Sequence, residues 1–100
     1  MATLIAVLSS AGARAGLTVK LGDDYFAPKE ATVAEGTNVK FKWVGKDEHQ
    51  VAKKRGPGAG FSSSLTDDKG VNFEKRFGKP GTYRLFCTVH DEMKMKLNVD

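Results

Sequence analysis

The chain is short of the residues that usually staple a small domain. Cys87 is the one cysteine in 100 residues, so no intramolecular disulfide can form. There are two histidines and three prolines, and apart from Met1 only two methionines. Nothing repeats, no low-complexity linker divides the chain, and no segment has the periodicity of an amphipathic helix. No apolar run approaches the roughly 20 residues that cross a bilayer as a helix, so no membrane span is expected. One hundred residues make one domain and not two. A domain of that size without disulfides often leans on a bound metal. With 40% hydrophobic and 28% charged residues, the composition is that of a globular protein and excludes a disordered polymer.

Charge is not concentrated either. Sixteen basic and 12 acidic residues give a net charge of +4, and the densest basic run is Lys53-Lys54-Arg55. No aromatic stacking motif or helix-turn-helix pattern accompanies it, so nucleic acid is not an expected partner. The run reads as a solvated loop tip or as a docking patch for an acidic protein. At the start, the apolar run Thr3–Leu8 followed by Ala13-Arg14-Ala15 matches the hydrophobic region and small-residue cleavage site of a secretory signal. The cations that usually precede such a run are missing. This reading makes residues 1–15 a signal peptide remnant and 16–100 the mature domain, placed outside the cytoplasm, secreted or periplasmic. The competing reading of the same run is a first β-strand. Cleavage after Ala15 would remove Arg14 and take the charge from +4 to +3. No cysteine near that point supports a lipid anchor.

What the chain does have is period-two alternation. Leu17, Val19 and Leu21 alternate with Thr18 and Lys20, and Val39, Phe41 and Trp43 with Lys40 and Lys42. Tyr83, Leu85 and Cys87 share one parity, as do Met95, Leu97 and Val99. Turn signals separate the runs at Glu35-Gly36-Thr37-Asn38, Gly56-Pro57-Gly58-Ala59-Gly60, Asp67-Asp68-Lys69-Gly70 and Gly78-Lys79-Pro80-Gly81. Several short strands with such spacing predict an all-β fold, an antiparallel sandwich or barrel. The glycines ending at Gly60 suit a long loop that passes close to other backbone. Lys75 interrupts the alternation of Val71–Phe77, which predicts an edge strand, a bulge, or a lysine stem lying along the surface.

The soft and basic donors are few and clustered. Cys87, His90, Met93 and Met95 fall within nine residues, and His49 lies 38 residues before the cysteine at the end of another predicted strand. Cys87 closes an inward-facing run, so its sulfur starts towards the interior, and the following turn brings His90 and Met93 back over it. One thiolate, two imidazoles and a thioether match the trigonal copper site with a weak axial methionine that serves electron transfer. Structural zinc wants four strong ligands, which this chain cannot supply. The metal ligands predicted are therefore His49, Cys87, His90 and Met93, and the cofactor copper. A nucleophilic Cys/His pair is the enzymatic competitor. It needs an orienting third group and a substrate cleft, for which so small a sandwich has little room, so no enzyme is expected.

Three stretches carry a family resemblance. Tyr25–Val33, continuing through Gly36, Thr37, Val39 and Phe41-Lys42-Trp43, resembles the opening strands of the plastocyanin and amicyanin branch of the cupredoxins. Asp47-Glu48-His49-Gln50-Val51 resembles the segment with that family's first histidine ligand, and Gly78–His90 the strand and loop with its cysteine and second histidine. The likeness covers roughly residues 17–99. It implies a Greek-key β-sandwich of about 7–8 strands, one type 1 copper, and outer-sphere electron transfer between larger redox proteins. Family loops place the axial methionine three or five residues after the second histidine, which fits Met93 or Met95. The alternating strand that follows in the family favours Met93, with Met95 joining Leu97 and Val99 in the core.

The resemblance also marks departures. Gln50 stands where the family usually has an asparagine bracing the cysteine loop. Val89 and Asp91 stand where prolines are common, offering an N–H near the thiolate and a carboxylate beside His90. On the family's pattern His49 holds the buried side and His90 passes electrons at the surface. Gly58, Ala59 and Phe61 then form an apolar rim for transient docking, and Lys53, Lys54 and Arg55 steer an acidic partner. Nothing in the sequence argues against a monomer. A copper carrier or storage protein of the same fold, without redox turnover, is the alternative, followed by a zinc-bound or metal-free structural domain.

Overall fold

The computed structural model describes residues 16–100, so the signal-peptide reading of 1–15 lies outside the described residues. Eight strands follow in order: β1 (Leu17–Gly22), β2 (Tyr25–Ala27), β3 (Glu30–Val33), β4 (Thr37–Trp43), β5 (Ala52–Arg55), β6 (Gly70–Phe77), β7 (Gly81–Cys87) and β8 (His90–Val99). They make two four-stranded sheets, β2-β1-β4-β6 and β3-β8-β7-β5. The described residues contain no helix. Two neighbouring pairs are parallel, β1 with β4 and β3 with β8, and the others antiparallel. The alternation and turn spacing predict an antiparallel sandwich or barrel; the fold is a sandwich, the Greek key that the resemblance implies, with two parallel pairings that the pattern does not foresee.

The alternation explains why the sheets face each other. Val19, Leu21, Val39, Phe41 and Trp43 from one sheet and Tyr83, Leu85, Met95, Leu97 and Val99 from the other are all buried in one core. Each large apolar side chain so buried contributes roughly 1.5–3 kcal/mol. The intervening Lys20, Lys40 and Lys42 point to water.

Lys75 meets its expectation in full. β6 is an edge strand, its pairing with β4 slips at Phe41/Lys42, and the Lys75 ammonium lies 4.9 Å from the centre of the Phe61 ring. Phe61 in turn stacks on Phe73 and meets Phe77 edge-on.

The glycine-rich loop does approach other backbone closely. Gly56 has φ +133°, and a β-carbon there would stand 3.0 Å from the carbonyl oxygen of Thr82 and the Cα of Tyr83. Lys53 folds over this loop and donates to the carbonyls of Pro57 (2.7 Å), Gly58 (2.5 Å) and Ala59 (3.3 Å).

Candidate metal centre

His49 sits between β4 and β5, fully buried, with its backbone fixed on three sides. Its N–H donates to the Thr66 carbonyl at 2.9 Å, and its carbonyl accepts from the Thr66 N–H (3.1 Å) and from the Trp43 indole (3.0 Å). The ring is fixed as well, because Nε2 lies 3.0 Å from Asp23 Oδ1. A carboxylate only accepts, so Nε2 carries the proton and Nδ1 keeps its lone pair. That Nδ1 is buried and has no hydrogen-bond partner. A buried imidazole nitrogen left without a partner is costly unless something binds it.

The parallel pairing of β1 with β4 brings Asp23 to this place. Leu21 stands opposite Trp43, so the β1–β2 turn projects beside the loop that follows β4. The Asp23 carboxylate accepts from the N–H groups of Lys46 (2.9 and 3.1 Å) and Asp47 (2.9 Å). The Asp47 N–H, the His49 side chain and the Lys46 N–H together hold its carboxyl far below the usual carboxylate range. Gly45 makes the approach possible, since a β-carbon there would overlap the Asp23 carboxylate and stand 2.8 Å from its backbone nitrogen.

Cys87 ends β7 with its sulfur buried, and His90 opens β8 after the turn at Thr88 and Val89. Cys87 Sγ is 3.5 Å from His90 Nδ1, and the two imidazole rings lie 5.0 Å apart. Donor atoms of His49, Cys87 and His90 are all within 4.8 Å of one another. The structure therefore brings together three of the four residues predicted as ligands. For the fourth, the β7–β8 register is informative. Phe86 pairs with Lys94 but Cys87 pairs with His90, which leaves Asp91, Glu92 and Met93 on a bulge beside the turn. Met93 is fully buried there, whereas Met95 stands opposite Leu85, one pleat deeper in the core. A cysteine sulfur, two imidazoles and a thioether suit copper, and the orphaned Nδ1 of His49 is the observation that calls for a metal.

Three expectations need correcting. The carboxylate on His90 belongs to Asp24, whose Oδ1 is 3.4 Å from Nε2, while Asp91 on the bulge is exposed to solvent. Gly58 and Ala59 are no rim for His90: Ala52 faces Phe86 and Arg55 faces Arg84, so the chain leaves β5 towards the start of β7, away from Cys87. Lys53 is held by the carbonyls of that loop rather than free at the surface. Two details of the loop differ from what the substitutions at Gln50 and Val89 suggest. Gln50 braces it after all, donating to the Ser63 carbonyl at 3.1 Å and accepting from the Thr88 hydroxyl. Among the described residues, the polar contact of Sγ is with His90 Nδ1 and not with the Val89 N–H.

Sequence reasoning missed Asp23 and Asp24 altogether. Gly22-Asp23-Asp24-Tyr25 reads as a hairpin turn, and nothing local says that this turn meets both histidines. Around it gather further acids. Asp47 lies with Asp24 within 4.8 Å of a His90 ring nitrogen, and Glu48, Asp91 and Glu92 are exposed beside the histidines in sequence.

Comparison with known proteins agrees with this geometry. The model of the cupredoxin-like domain matches residues 1–99. No curated protein sequence matches the chain significantly. Among solved structures, a fern plastocyanin variant is 29% identical with a TM-score of 0.70, over 83% of this chain and 99% of its own. A reduced amicyanin variant, 22% identical, shares the fold with a TM-score of 0.75 over 85% of this chain and 82% of its own. A copper-containing nitrite reductase from Thermus scotoductus SA-01 is 25% identical with a TM-score of 0.72 over 85% of this chain. The chain spans only 22% of that enzyme's length. With two facing sheets, a Cys–His–His cluster at one end and a family match over almost its whole length, the chain belongs to the cupredoxin-like domain family.

Proposed function

We propose that the protein is a one-electron carrier with a single type 1 copper, bound by His49 Nδ1, Cys87 Sγ and His90 Nδ1, with the Met93 thioether as a weak axial donor. The observation that carries this reading is the buried, unpartnered Nδ1 of His49 within 4.8 Å of the other two donors. Copper, when bound, supplies the Cu(II)/Cu(I) couple. The residues do the rest. Asp23 keeps the proton on His49 Nε2, so that Nδ1 keeps its lone pair for a metal, and the backbone N–H groups of Lys46 and Asp47 fix the carboxylate and keep the ring from turning. Gln50 ties the turn after Cys87 to the Ser63 backbone between β5 and β6, which limits rearrangement of the loop. Burial of Cys87 and His49 keeps water from the donors, while His90, 22% exposed, offers the edge that a redox partner reaches.

The carrier reading is supported by likeness to plastocyanin and amicyanin over 99% and 82% of those chains. Deep burial of the thiolate also disfavours the copper-delivery alternative, because a donor that must hand over metal needs access. We place the mature domain outside the cytoplasm, on the secretory pattern at residues 1–15, as a monomer that docks transiently with larger redox proteins.

The test is to add Cu(II) to the purified apo-protein and record visible and electron-spin-resonance spectra before and after ascorbate. An intense blue band with small copper hyperfine splitting, bleached by ascorbate, is the expected result. A pale product with ordinary copper parameters would remove Cys87 from the ligands and the carrier function with it.

A further inference from the structure

The outward side of the sheet β3-β8-β7-β5 carries a row of cations whose one acidic neighbour in the register, among the described residues, is Glu30 opposite Lys96 at the end of the row. Across three adjacent strands, Arg55 stands opposite Arg84, and Arg84 opposite Lys96. Like charges placed directly opposite each other on a sheet destabilise it. Lys29, Lys54 and Lys94 join them around one groove of about 640 Å³. The single acid in that lining, Glu30, is exposed and only 3.8 Å at its nearest from Lys96. The other sheet is arranged differently, since Lys40 on β4 faces Glu74 on β6.

The copper end has the opposite sign. Asp24 Oδ1 is 3.4 Å from Nε2 of His90 and Asp47 lies within 4.8 Å of a His90 ring nitrogen, while the exposed Glu48, Asp91 and Glu92 adjoin the histidines in sequence. A carboxylate-rich protein is repelled there and attracted by the groove. The groove is concave and contains two guanidinium groups one strand apart, which suit the planar, bidentate geometry of carboxylates.

We infer that the Arg55–Arg84–Lys96 row and its groove form a docking face for a carboxylate-rich segment of a partner protein, separate from the His90 end. This rests on the carrier reading for one point only, that the partner is a redox protein. Docking there holds an acidic partner against the flank of β7 while leaving His90 free. The like-charge row is a standing cost in the isolated domain, and an acidic segment laid across it removes that cost.

The test uses the copper-loaded protein and a fluorescently labelled decaglutamate peptide at low ionic strength, followed by anisotropy. The triple variant Arg84→Glu, Lys94→Glu, Lys96→Glu is expected to bind about tenfold more weakly or worse. A control with the same change in net charge on the other sheet, Lys40→Glu, Lys42→Glu, Arg76→Glu, is expected to stay close to wild type. Equal weakening in both would show that only total charge matters and would overturn the proposal. So would tighter binding to phosphatidylserine vesicles or to a single-stranded oligonucleotide than to the peptide. Arg84→Glu alone should lose affinity while its melting temperature rises, because it places opposite charges across the row. A variant that loses affinity and stability together would make Arg84 a structural residue and sink the idea. The blue band is read on every sample. A wild type that lacks it ends the carrier reading whatever the peptide does, whereas a blue wild type without site-specific binding ends this proposal alone.

Discussion

Asp23 Oδ1 stands 3.0 Å from Nε2 of His49, across 26 residues of sequence. The bond ties a hairpin turn to a fully buried donor of the metal centre, and Gly45 leaves room for the carboxylate that a β-carbon there would fill.

Replacing Asp23 by asparagine keeps the shape and removes the charge. Loss of such an outer partner of a ligating histidine weakens metal binding by about 10–100-fold. A neutral amide also supports Cu(II) less than a carboxylate does, so the reduction potential should rise. Competition with a chelator and a redox titration measure the two effects. Unchanged values in both would mean that the ring is held by its packing alone.

The same carboxyl makes the apo-protein sensitive to acid. Its ordinary value is 3.8, and the folded state holds it far lower. Below about pH 4 the unfolded chain takes up a proton that the folded one refuses. The stabilisation is thus complete above that range and is lost as the pH falls through it towards the folded value. Urea unfolding of copper-free protein at a series of acidic pH values should show stability falling more steeply in the wild type than in Asp23→Asn. Parallel curves would assign the acid sensitivity to other groups.

Gln50 joins Ser63 to Thr88, and Gln50→Ala should cost about 0.5–1.5 kcal/mol for each hydrogen bond lost. The more telling readout is the copper signal. A loosened turn between Cys87 and His90 should broaden the electron-spin-resonance lines and speed the loss of copper to a chelator. Sharp lines with a lowered melting temperature would confine Gln50 to a structural role.

The two methionines can be separated by one substitution each. Leucine conserves volume, so Met93→Leu and Met95→Leu should each cost less than about 1.5 kcal/mol in the apo-protein. Only Met93→Leu should change the visible spectrum and raise the potential, since only it removes an axial donor. A spectral change confined to Met95→Leu would move the axial position one pleat deeper.

Strand identity was legible because burial on one face of a sheet writes itself as alternation: Val39-Lys40-Phe41-Lys42-Trp43 needs no further context. The Cys87–His90 pair was legible for a similar reason, since both donors come from one tight turn. What could not be seen depends on pairings between distant segments. Asp23 meets His49 only because β1 lies parallel to β4 in one register, with Leu21 opposite Trp43. Gly58 and Ala59 were misplaced because only the β5–β7 pairing tells which way the loop leaves the sheet. Lys53 looked free because a backbone carbonyl cage has no signature in the residues that build it.

The carboxylates at the histidine end have a consequence for the molecule as a whole. Asp23, Asp24 and Asp47 lie against the histidines, and Glu48, Asp91 and Glu92 adjoin the histidines in sequence; together they are half of the 12 acids in the chain. A net charge of +4 therefore hides a separation of charge, and the domain is an electric dipole. In the field of a charged surface such a body turns before it touches, so its orientation at first contact is chosen at a distance of about one Debye length. At one pH and low salt the folded protein should be retained by cation and anion exchangers alike, with a different pole against each resin. The unfolded chain, which has no poles, should bind the cation exchanger only.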